Sequence, residues 1–452
     1  MTSRQHVAYK KVAGYVYSSF SVTHAITKRP TVTMPLKILI IGAGVCGPAV
    51  TYLLLRTNPD HEITVIERSL SLRSTGQQID LRAQGIPLMK KIGLLDAVRE
   101  RVVHERGVEF LGRNGKRKAL VTMNDTGKGR QSFTSEYEIM RGDLVDILYE
   151  ASIKESNKAK GTGSIKYEFG KTTDSISQDE KGVDITFSDG SKHRYDIVIG
   201  ADGQNSRTRK EMFGKEVSAS AYKELGVCTA FYSIPPLSNE SVYAQGYHTP
   251  GRLVITRPSK PDITAVYLMT TNQTSELNAV VGQPVEKQKE AWAKAFADLG
   301  WQDGRLLSGM KNTSDFYSST IGQVKLEHFV KGRIALLGDA GYVPSPVTGM
   351  GTTCSLVGAY VLAGELTKHK DDVPSALKAY EEVMRPFVVE AQKLVPGFPS
   401  LMVPKTNLGI TILHLVLWFV TIFKIDKLIG RILPEENGGW APPDYPGLKF
   451  DS

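Results

Sequence analysis

Cysteine is scarce in this sequence, with three residues in a chain of 452. Cys46, Cys228 and Cys354 lie far apart, and their spacing matches no metal-binding motif. This excludes a disulfide-stapled fold and predicts no metal site, and it indicates a reducing compartment. The sequence also lacks internal repeats and low-complexity tracts, which excludes a repeat protein.

A hydrophobic run long enough to span a bilayer is also missing. The most apolar segment, 408–423, has 16 residues and contains His414, whereas spanning takes about 20 residues. We expect a buried C-terminal helix here. The alternative is an interfacial helix whose basic flank, Lys424, Lys427 and Arg431, would give weak membrane association through 408–431.

Acidic residues are absent from positions 1–33. The net charge of +9 includes five positive charges from this segment, so the rest of the chain carries only +4 and no nucleic-acid interface is indicated. Segment 1–33 is either a leader, with the composition of a mitochondrial transit peptide, or a misassigned start before Met34, which we favour. We therefore expect a cytoplasmic protein, with mitochondrial or membrane-associated locations as alternatives.

A glycine-rich turn between two apolar runs organises the first part of the chain. The run "LKILII" enters "GAGVCG" and a small-residue helix, and "HEITVIER" follows at 61–68. Gly42, Gly44 and Gly47 form the G-x-G-x-x-G pattern of a dinucleotide site, where the backbone must turn tightly and approach a pyrophosphate. Glu67, 20 residues after Gly47, can accept hydrogen bonds from ribose hydroxyls and would repel a ribose phosphate. The unit therefore predicts a site for NAD or FAD rather than NADP.

Two later strand ends favour FAD. "YDIVIGADGQNSRTR" (195–209) places Asp202 and Gly203 after a buried strand, with Arg209 behind them. "GRIALLGDAGYVPSPVTGMG" (332–351) places Asp339 at another strand end, where it could bind a chain of hydroxyls. A helix beginning near Gly351 would direct its positive end at a reduced flavin ring. The chain has no second G-x-G-x-x-G pattern with a preceding strand, which argues against a separate NADPH-binding domain.

An alternation of aromatic and β-branched residues at 222–271 predicts an antiparallel sheet that could form the wall of an apolar ligand pocket. Tyr232, Tyr243, Tyr247 and His248 are candidate substrate contacts on it, although structural burial is the commoner role for such residues. A phenolic substrate would need a base or an acceptor. The sequence does not single out a catalytic residue.

Taken together, these motifs resemble those of the class A FAD-dependent monooxygenases, which are related to para-hydroxybenzoate hydroxylase. The resemblance covers about residues 35–400 and is strongest to fungal secondary-metabolite monooxygenases and tetracycline-inactivating enzymes. It rests on the glycine pattern with Glu67-Arg68, "MRGDL" with Arg141, D-G-x-x-S-x-x-R at 202–209, G-D-A at 338–340 and P-x-x-G-x-G at 346–351.

The resemblance implies an α/β fold: a Rossmann-like FAD-binding domain, an inserted mixed or antiparallel β-sheet substrate domain, and C-terminal helices. We expect the FAD-binding domain at 34–94, 139–212 and 313–370, the substrate domain at 95–138 and 213–312, and a helical region at 371–452. The implied cofactor-binding residues are Gly42, Gly44, Gly47, Glu67, Arg68, Arg141, Asp202, Gly203, Arg209, Asp339, Gly349, Met350 and Gly351.

The implied reaction uses NADPH or NADH as a transient co-substrate and O2 to hydroxylate or epoxidise an aromatic or polyketide-like molecule through a C4a-hydroperoxyflavin. Two positions depart from the family: Tyr342 stands where a histidine is common, and Gly358-Ala359 where an acidic residue precedes alanine. A halogenase is disfavoured, because the W-x-W-x-I-P element is missing. A flavin dehydrogenase or prenyl reductase and a nonenzymatic flavoprotein-fold chaperone remain alternatives.

Overall fold

The structure is a computed structural model that describes residues 34–73, 76–122, 136–158, 161–370, 372–423, 439–448 and 450. The expectations for 1–33 and for 424–431 lie outside these residues. The strands, in chain order, are β1 (Lys37–Ile41), β2 (Glu62–Glu67), β3 (Gln78–Asp80), β4 (Gly107–Leu111), β5 (Arg117–Thr122), β6 (Glu138–Met140), β7 (Ser164–Phe169), β8 (Thr173–Gln178), β9 (Val183–Phe187), β10 (Lys192–Tyr195), β11 (Ile197–Gly200), β12 (Tyr222–Ile234), β13 (Ala244–Thr249), β14 (Arg252–Lys260), β15 (Ile263–Thr270), β16 (Tyr317–Val324), β17 (Val330–Lys331) and β18 (Ile334–Leu336).

The α-helices occupy the segments between and after these strands. They are α1 (Cys46–Thr57), α2 (Gly85–Lys91), α3 (Leu95–Arg99), α4 (Arg141–Lys158), α5 (Arg207–Phe213), α6 (Lys215–Ala221), α7 (Thr274–Ala279), α8 (Val285–Ala295), α9 (Asp303–Asn312), α10 (Asp339–Tyr342), α11 (Gly351–His369), α12 (Val373–Ala391) and α13 (Asn407–Ile422).

A six-stranded sheet with the order β17-β18-β11-β1-β2-β7 carries the glycine-rich turn. All its strand pairs are parallel except β17–β18. The central strand β1 is buried from Ile38 to Ile41, as its β-branched run predicts for a strand covered on both faces. Helix α1 packs against α4 and α11. The predicted Rossmann-like α/β fold is confirmed.

A seven-stranded sheet, ordered β16-β12-β15-β14-β13-β4-β5, forms the second large layer. It is antiparallel except where β13 runs parallel to β4, so the expected mixed sheet is present. Strand β16 pairs with β12. The expected boundary at 312/313 places β16 in the FAD-binding domain, whereas its backbone pairing is with the large sheet.

A buried charged cluster joins the large sheet to the two-stranded ribbon of β3 and β6. Arg257 on β14 donates two hydrogen bonds of 2.8 Å to Glu105 and contacts Glu138 on β6. Burial raises the pKa of Glu138 well above its usual range, against the opposing effect of Arg257. A buried ion pair leaves a costly unpaired charge if one partner is removed, so this cluster fixes the ribbon on the sheet.

The C-terminal helix α13 differs from its prediction. The helix forms as expected, but none of its residues is buried. It packs on β5 and β13 at the edge of the large sheet rather than inside a core. No helix among the described residues is long and apolar enough to cross a membrane.

Candidate active site

The glycine-rich turn is built by close backbone contacts at the carboxyl end of β1. Gly42 has φ +110°, and a Cβ on it would lie 2.5 Å from the carbonyl oxygen of Ala201. A Cβ on Gly47 would lie 2.0 Å from the carbonyl oxygen of Gly42. Side chains are therefore excluded at both positions by backbone atoms that cannot move aside. This brings the start of α1 directly against the end of the sheet.

Glu67 closes the turn from the end of β2. Its Oε2 accepts the N–H of Ala43 at 3.0 Å, and its Oε1 accepts the N–H of Ser69 at 2.9 Å. Burial acts to raise the pKa of Glu67, but these two N–H groups and Arg73 outweigh it and lower the pKa. The carboxylate is therefore ionised and half-buried, and it retains lone pairs that could accept ribose hydroxyls. Arg68, the next residue, is exposed.

Arg141 and Asp339 lie on the open side of this turn. Arg141 begins α4, and a Cβ on Gly44 would be 3.1 Å from its Nη2 atom. Asp339 follows β18 and is partly exposed, although it is enclosed by neighbouring groups. Burial raises the pKa of Asp339 to about 6, and the positive charge of Arg141 opposes this rise. The sequence motifs at 42–47, 141 and 339 thus converge at the carboxyl end of the parallel sheet, a region that we call the crevice.

The start of α11 completes the crevice. A Cβ on Gly338 would lie 2.2 Å from Cys46 Sγ and 2.9 Å from Ser355 Oγ, so α1, α11 and the end of β18 meet there. Helix α11 begins at Gly351, as predicted, and has no side-chain cap and no acid in its first turn. Its first N–H groups therefore offer a positive end to an anion or an electron-rich ring. Met350 just before it is buried.

Asp202 and Arg209 bind protein groups. Asp202 accepts the N–H groups of Arg207 and Thr208, the first two of α5, at 2.8 and 3.0 Å. Arg209 is 3% exposed and donates to the carbonyl oxygens of Ala340 and Gln204, both at 2.8 Å. These contacts tie the D-G-x-x-S-x-x-R segment to the loop that carries Asp339. Gly203, with φ +78°, turns the chain between them.

The two departures from the resembled family are in contact with each other. Tyr342 is buried and hydrogen-bonded through its hydroxyl to the hydroxyl of Tyr380 at 2.8 Å. A Cβ on Gly358 would lie 2.1 Å from the Tyr342 Oη atom. The small residue on α11 therefore makes room for the large one on α10. Burial raises the pKa of Tyr342 above its usual range, so it stays a neutral packing residue.

The large sheet presents two different faces. On one, which we call the helix face, Tyr232 and Tyr247 belong to the core beneath α8 and α9. Tyr232 donates to the carbonyl oxygen of Leu306 at 3.1 Å, and the Tyr247 ring stacks on Trp301 at 5.2 Å. These two candidate substrate contacts therefore point into a packed core. Tyr243 is half-buried in the segment before β13, where its N–H bonds Ser241 Oγ at 3.1 Å.

The opposite face, which we call the loop face, packs against Val347 of the P-x-x-G-x-G segment. It carries an aromatic row that the sequence analysis did not single out: Phe231 lies 4.9 Å from Tyr267 and 6.1 Å from Tyr317, between ring centroids. The Tyr267 hydroxyl accepts the N–H of Gln78 at 2.9 Å. The sequence does show that Phe231 and Tyr232, as neighbours in a strand, point to opposite faces of the sheet. This alternation alone does not say which face meets the crevice.

His248 lies beneath α13. Its Nε2 is 3.2 Å from the carbonyl oxygen of Met402, and its ring is 5.5 Å from that of His414 and 5.8 Å from that of Phe110. Burial lowers the pKa of His248 to about 4, and His414 adds to this effect. The imidazole is thus neutral near pH 7 and packs against the rings of Phe110 and His414.

Arg82 is a further residue at the crevice that the sequence analysis missed. Its guanidinium bonds Asp80 at 2.9 Å, and a Cβ on Gly349 would lie 2.9 Å from its Nε atom. Gly349, with φ +66°, lets the loop before α11 pass over this side chain. The main chain of Arg82 accepts the hydroxyl of Thr353 at 2.8 Å. In the sequence, only the polar stretch "IDLRAQG" could have pointed to Arg82.

The described part of the chain contains no candidate metal site, since no three His, Cys, Asp or Glu side chains are grouped there to bind an ion. The three cysteines are buried free thiols. Burial raises the pKa of Cys46, beside the crevice, to about 12, so it is a poor nucleophile.

Comparison with known proteins agrees with this architecture. Residues 35–394 match the model of the FAD binding domain family. The FAD-dependent monooxygenase asL6 of Sarocladium schorii is 40% identical over 426 residues, which cover 93% of this chain and 100% of that protein. The flavin-dependent monooxygenase eupH of a Phoma species is 35% identical, covering 91% and 98% of the two chains.

Among solved structures, the tetracycline destructase Tet(51) superposes with a TM-score of 0.70 at 29% identity, covering 91% of this chain and 100% of that one. These findings confirm the predicted FAD cofactor and enzymatic activity, with NAD(P)H and O2 as co-substrates and a small molecule as substrate. The chain that forms this crevice between the glycine-rich turn and α11 therefore belongs to the FAD binding domain family, and it is an FAD-dependent monooxygenase.

Proposed function

We propose that this monooxygenase oxygenates an aromatic or polyketide-like molecule that lies against the aromatic row of the loop face. The observation that carries the proposal is the row itself: Tyr267, Phe231 and Tyr317 line one face of the sheet, and that face packs on Val347 of the loop before α11. Aromatic side chains favour stacked or edge-on contacts with flat rings. The destructase likeness supports the class, since tetracycline is a fused-ring polyketide.

FAD fits the crevice, because backbone atoms there leave no room for side chains and a partly exposed carboxylate stands beside an uncapped helix. When bound, it supplies the redox and oxygen chemistry. We propose that Gly42, Gly44 and Gly47 admit the pyrophosphate, that Glu67 and Arg68 hold the adenosine, and that Arg141 binds the ribityl or phosphate region. In the same proposal Asp339 binds ribityl hydroxyls, and the backbone of Gly349, Met350 and Gly351 faces the ring.

Asp202, Gly203 and Arg209 act in this proposal as positioning residues. Arg209 holds the carbonyl oxygen of Ala340, the residue after Asp339. Asp202 accepts the first two N–H groups of the helix that begins two residues before Arg209. Together they fix where the Asp339 carboxylate stands, which is the contribution this segment makes to FAD binding.

Water exclusion is the task of the loop face. Tyr267 is 6% exposed, and its ring lies 5.6 Å from the buried Arg257 guanidinium. That contact, and the N–H of Gln78 on its hydroxyl, hold the ring in one orientation. Excluding water from the active site prevents side reactions such as hydrolysis of reactive intermediates.

The test is anaerobic reduction of the bound flavin by NADPH, followed by absorbance, with and without a panel of phenolic polyketides. Reduction that one compound accelerates at least tenfold, with one 18O atom from 18O2 in its product, is the expected result. A panel that leaves both reduction and product unchanged would overturn the substrate class. Reduction by a compound without NADPH would indicate a dehydrogenase instead.

A further inference from the structure

Helix α13 presents an apolar face to solvent. The outward residues recur at helical spacing, and the segment 407–423 contains no charged residue at all. A helix on the surface of a globular protein normally turns polar and charged residues outward, so this pattern is inverted. A contiguous exposed apolar patch of this kind marks an interaction site. Its large outward side chains are Leu408, Ile412, Leu415, Val416, Trp418, Phe419, Ile422 and Phe423.

The helix is fixed in place by its other face. It packs on β5 and β13, and the His414 ring contacts those of His248 and Phe110, with centroids 5.5 and 6.3 Å away. At its start, Thr406 caps the helix by accepting the N–H of Gly409 at 3.0 Å. Arg113 donates to Asn407 Oδ1 at 2.7 Å. The apolar face is therefore held outward by packing on the sheet.

Positive charge lies beside this face. The turn between β4 and β5, residues 113–118 with the sequence "RNGKRK", carries four basic residues and no acid, and all six residues are exposed. We call it the basic hairpin. Helix α13 packs on β5, which begins within this hairpin. Beyond the helix, the sequence 424–431 contains three basic residues and one acid.

We propose that α13 and the basic hairpin dock the enzyme on an anionic lipid bilayer. A helix of 16 residues is about 24 Å long at 1.5 Å per residue, shorter than the ~30 Å hydrocarbon core, so it lies along the surface instead of crossing. Its apolar face enters the boundary between headgroups and acyl chains, where Trp and Phe are favoured. The basic hairpin meets the anionic headgroups.

A bilayer fits this surface better than a second copy of the chain. The apolar face has eight large exposed side chains on one helix, whereas a standard interface involves about 20–30 residues on each partner. The neighbouring basic hairpin adds no apolar area to such an interface. An anionic membrane uses both elements at once, because it offers apolar depth and negative charge in one plane.

The test is flotation of the FAD-loaded full chain with vesicles of phosphatidylcholine alone and with 30% phosphatidylserine. The unmodified enzyme should float with the anionic vesicles, and 0.5 M salt should weaken binding. Leu415→Glu/Phe419→Glu should lower binding at least tenfold. Lys116→Gln/Lys118→Gln should lower it by roughly thirtyfold, since each basic residue near the surface contributes about 1 kcal/mol and two are removed. The control is Val281→Glu/Val285→Glu, an exposed apolar pair with the same spacing elsewhere.

Each variant is first checked for flavin content and for NADPH reduction, so that misfolding is recognised. The proposal is overturned if the unmodified enzyme fails to float, or if the α13 pair binds vesicles as well as the control pair does. It is also overturned if sedimentation velocity shows a dimer that Leu415→Glu/Phe419→Glu dissociates while no vesicle binding is seen. These outcomes are independent of the substrate class, because no substrate enters the assay.

Discussion

The crevice at the end of the parallel sheet and the loop face of the large sheet are built in opposite ways. The crevice is shaped by backbone: a Cβ at Gly42 or Gly47 would meet a backbone carbonyl oxygen at 2.5 Å or less. The loop face is shaped by side chains, with Phe231 between two tyrosines. Backbone geometry restricts residue type, whereas a side-chain surface tolerates many residues. A site shaped by backbone can therefore be recognised from a sequence motif, whereas a surface shaped by side chains cannot.

The largest effect is expected from filling the crevice. Gly47→Ala places a methyl group 2.0 Å from the carbonyl oxygen of Gly42, and neither backbone segment can retreat without separating α1 from β1. We expect the purified variant to carry no bound flavin and to lose several kcal/mol of unfolding free energy. Flavin-to-protein absorbance and urea unfolding measure both.

Gly304→Ala is the matched control for this prediction. Gly304 lies in α9, and a Cβ there would meet nothing within 4 Å. Alanine should stabilise the helix by up to about 1 kcal/mol and leave the flavin content unchanged. Full flavin occupancy in Gly47→Ala would show that the crevice is less rigid than its contacts indicate.

Two neighbours on β12 separate the faces of the large sheet. Tyr232→Ala empties a packed site on the helix face and should cost about 3–5 kcal/mol of unfolding free energy without changing KM in the folded fraction. Phe231→Ala opens the loop face and should raise KM for the compound that the enzyme oxygenates about tenfold, with a smaller loss of stability. Denaturant titration and steady-state kinetics distinguish the two. If KM rose in Tyr232→Ala and not in Phe231→Ala, the assignment of the faces would be reversed.

The pair at Gly358 and Tyr342 tests packing beside the crevice. Gly358→Ala brings a methyl group 2.1 Å from the Tyr342 hydroxyl oxygen, and the resulting strain should cost about 1–3 kcal/mol. Removing that oxygen in Tyr342→Phe should recover most of the loss, apart from about 1 kcal/mol for the hydrogen bond to Tyr380. Thermal unfolding of both single variants and the double variant gives the coupling energy. Additive losses would contradict direct contact.

Replacing His248 should have the smallest effect near neutral pH, because its contribution to stability changes only at acid pH. Its pKa in the folded chain is lowered to about 4 from an ordinary value of 6.5. The unfolded state therefore binds the proton first, and stability present above pH 6.5 falls as the pH drops towards 4, by up to about 3 kcal/mol. His248→Phe should remove this part of the acid sensitivity. Above pH 7, the difference in unfolding free energy between the variant and the unmodified protein should not change with pH. Urea unfolding from pH 4.5 to 8 measures it.

Several elements were predictable because local sequence dictates them. The unit β1-α1-β2 and the start of α11 at Gly351 both follow their patterns. Other features depended on distant contacts. The burial of α13 was predicted wrongly, since a run of apolar residues records hydrophobicity but not what covers it. Arg82 was missed because its partner Gly349 is far away in the chain.

The sequence by itself determined the dinucleotide-binding turn, because turns that approach a dinucleotide allow few residues and those residues recur at fixed spacing. The resemblance that its motifs carry implied the fold, the FAD cofactor and the class of reaction. Only the tertiary structure decided that Arg209 binds a carbonyl oxygen of the loop carrying Asp339. It also decided that Phe231, rather than Tyr232, faces the loop before α11. Which face of a strand meets a site depends on what packs against it, and that information lies in the assembled layers instead of the local pattern.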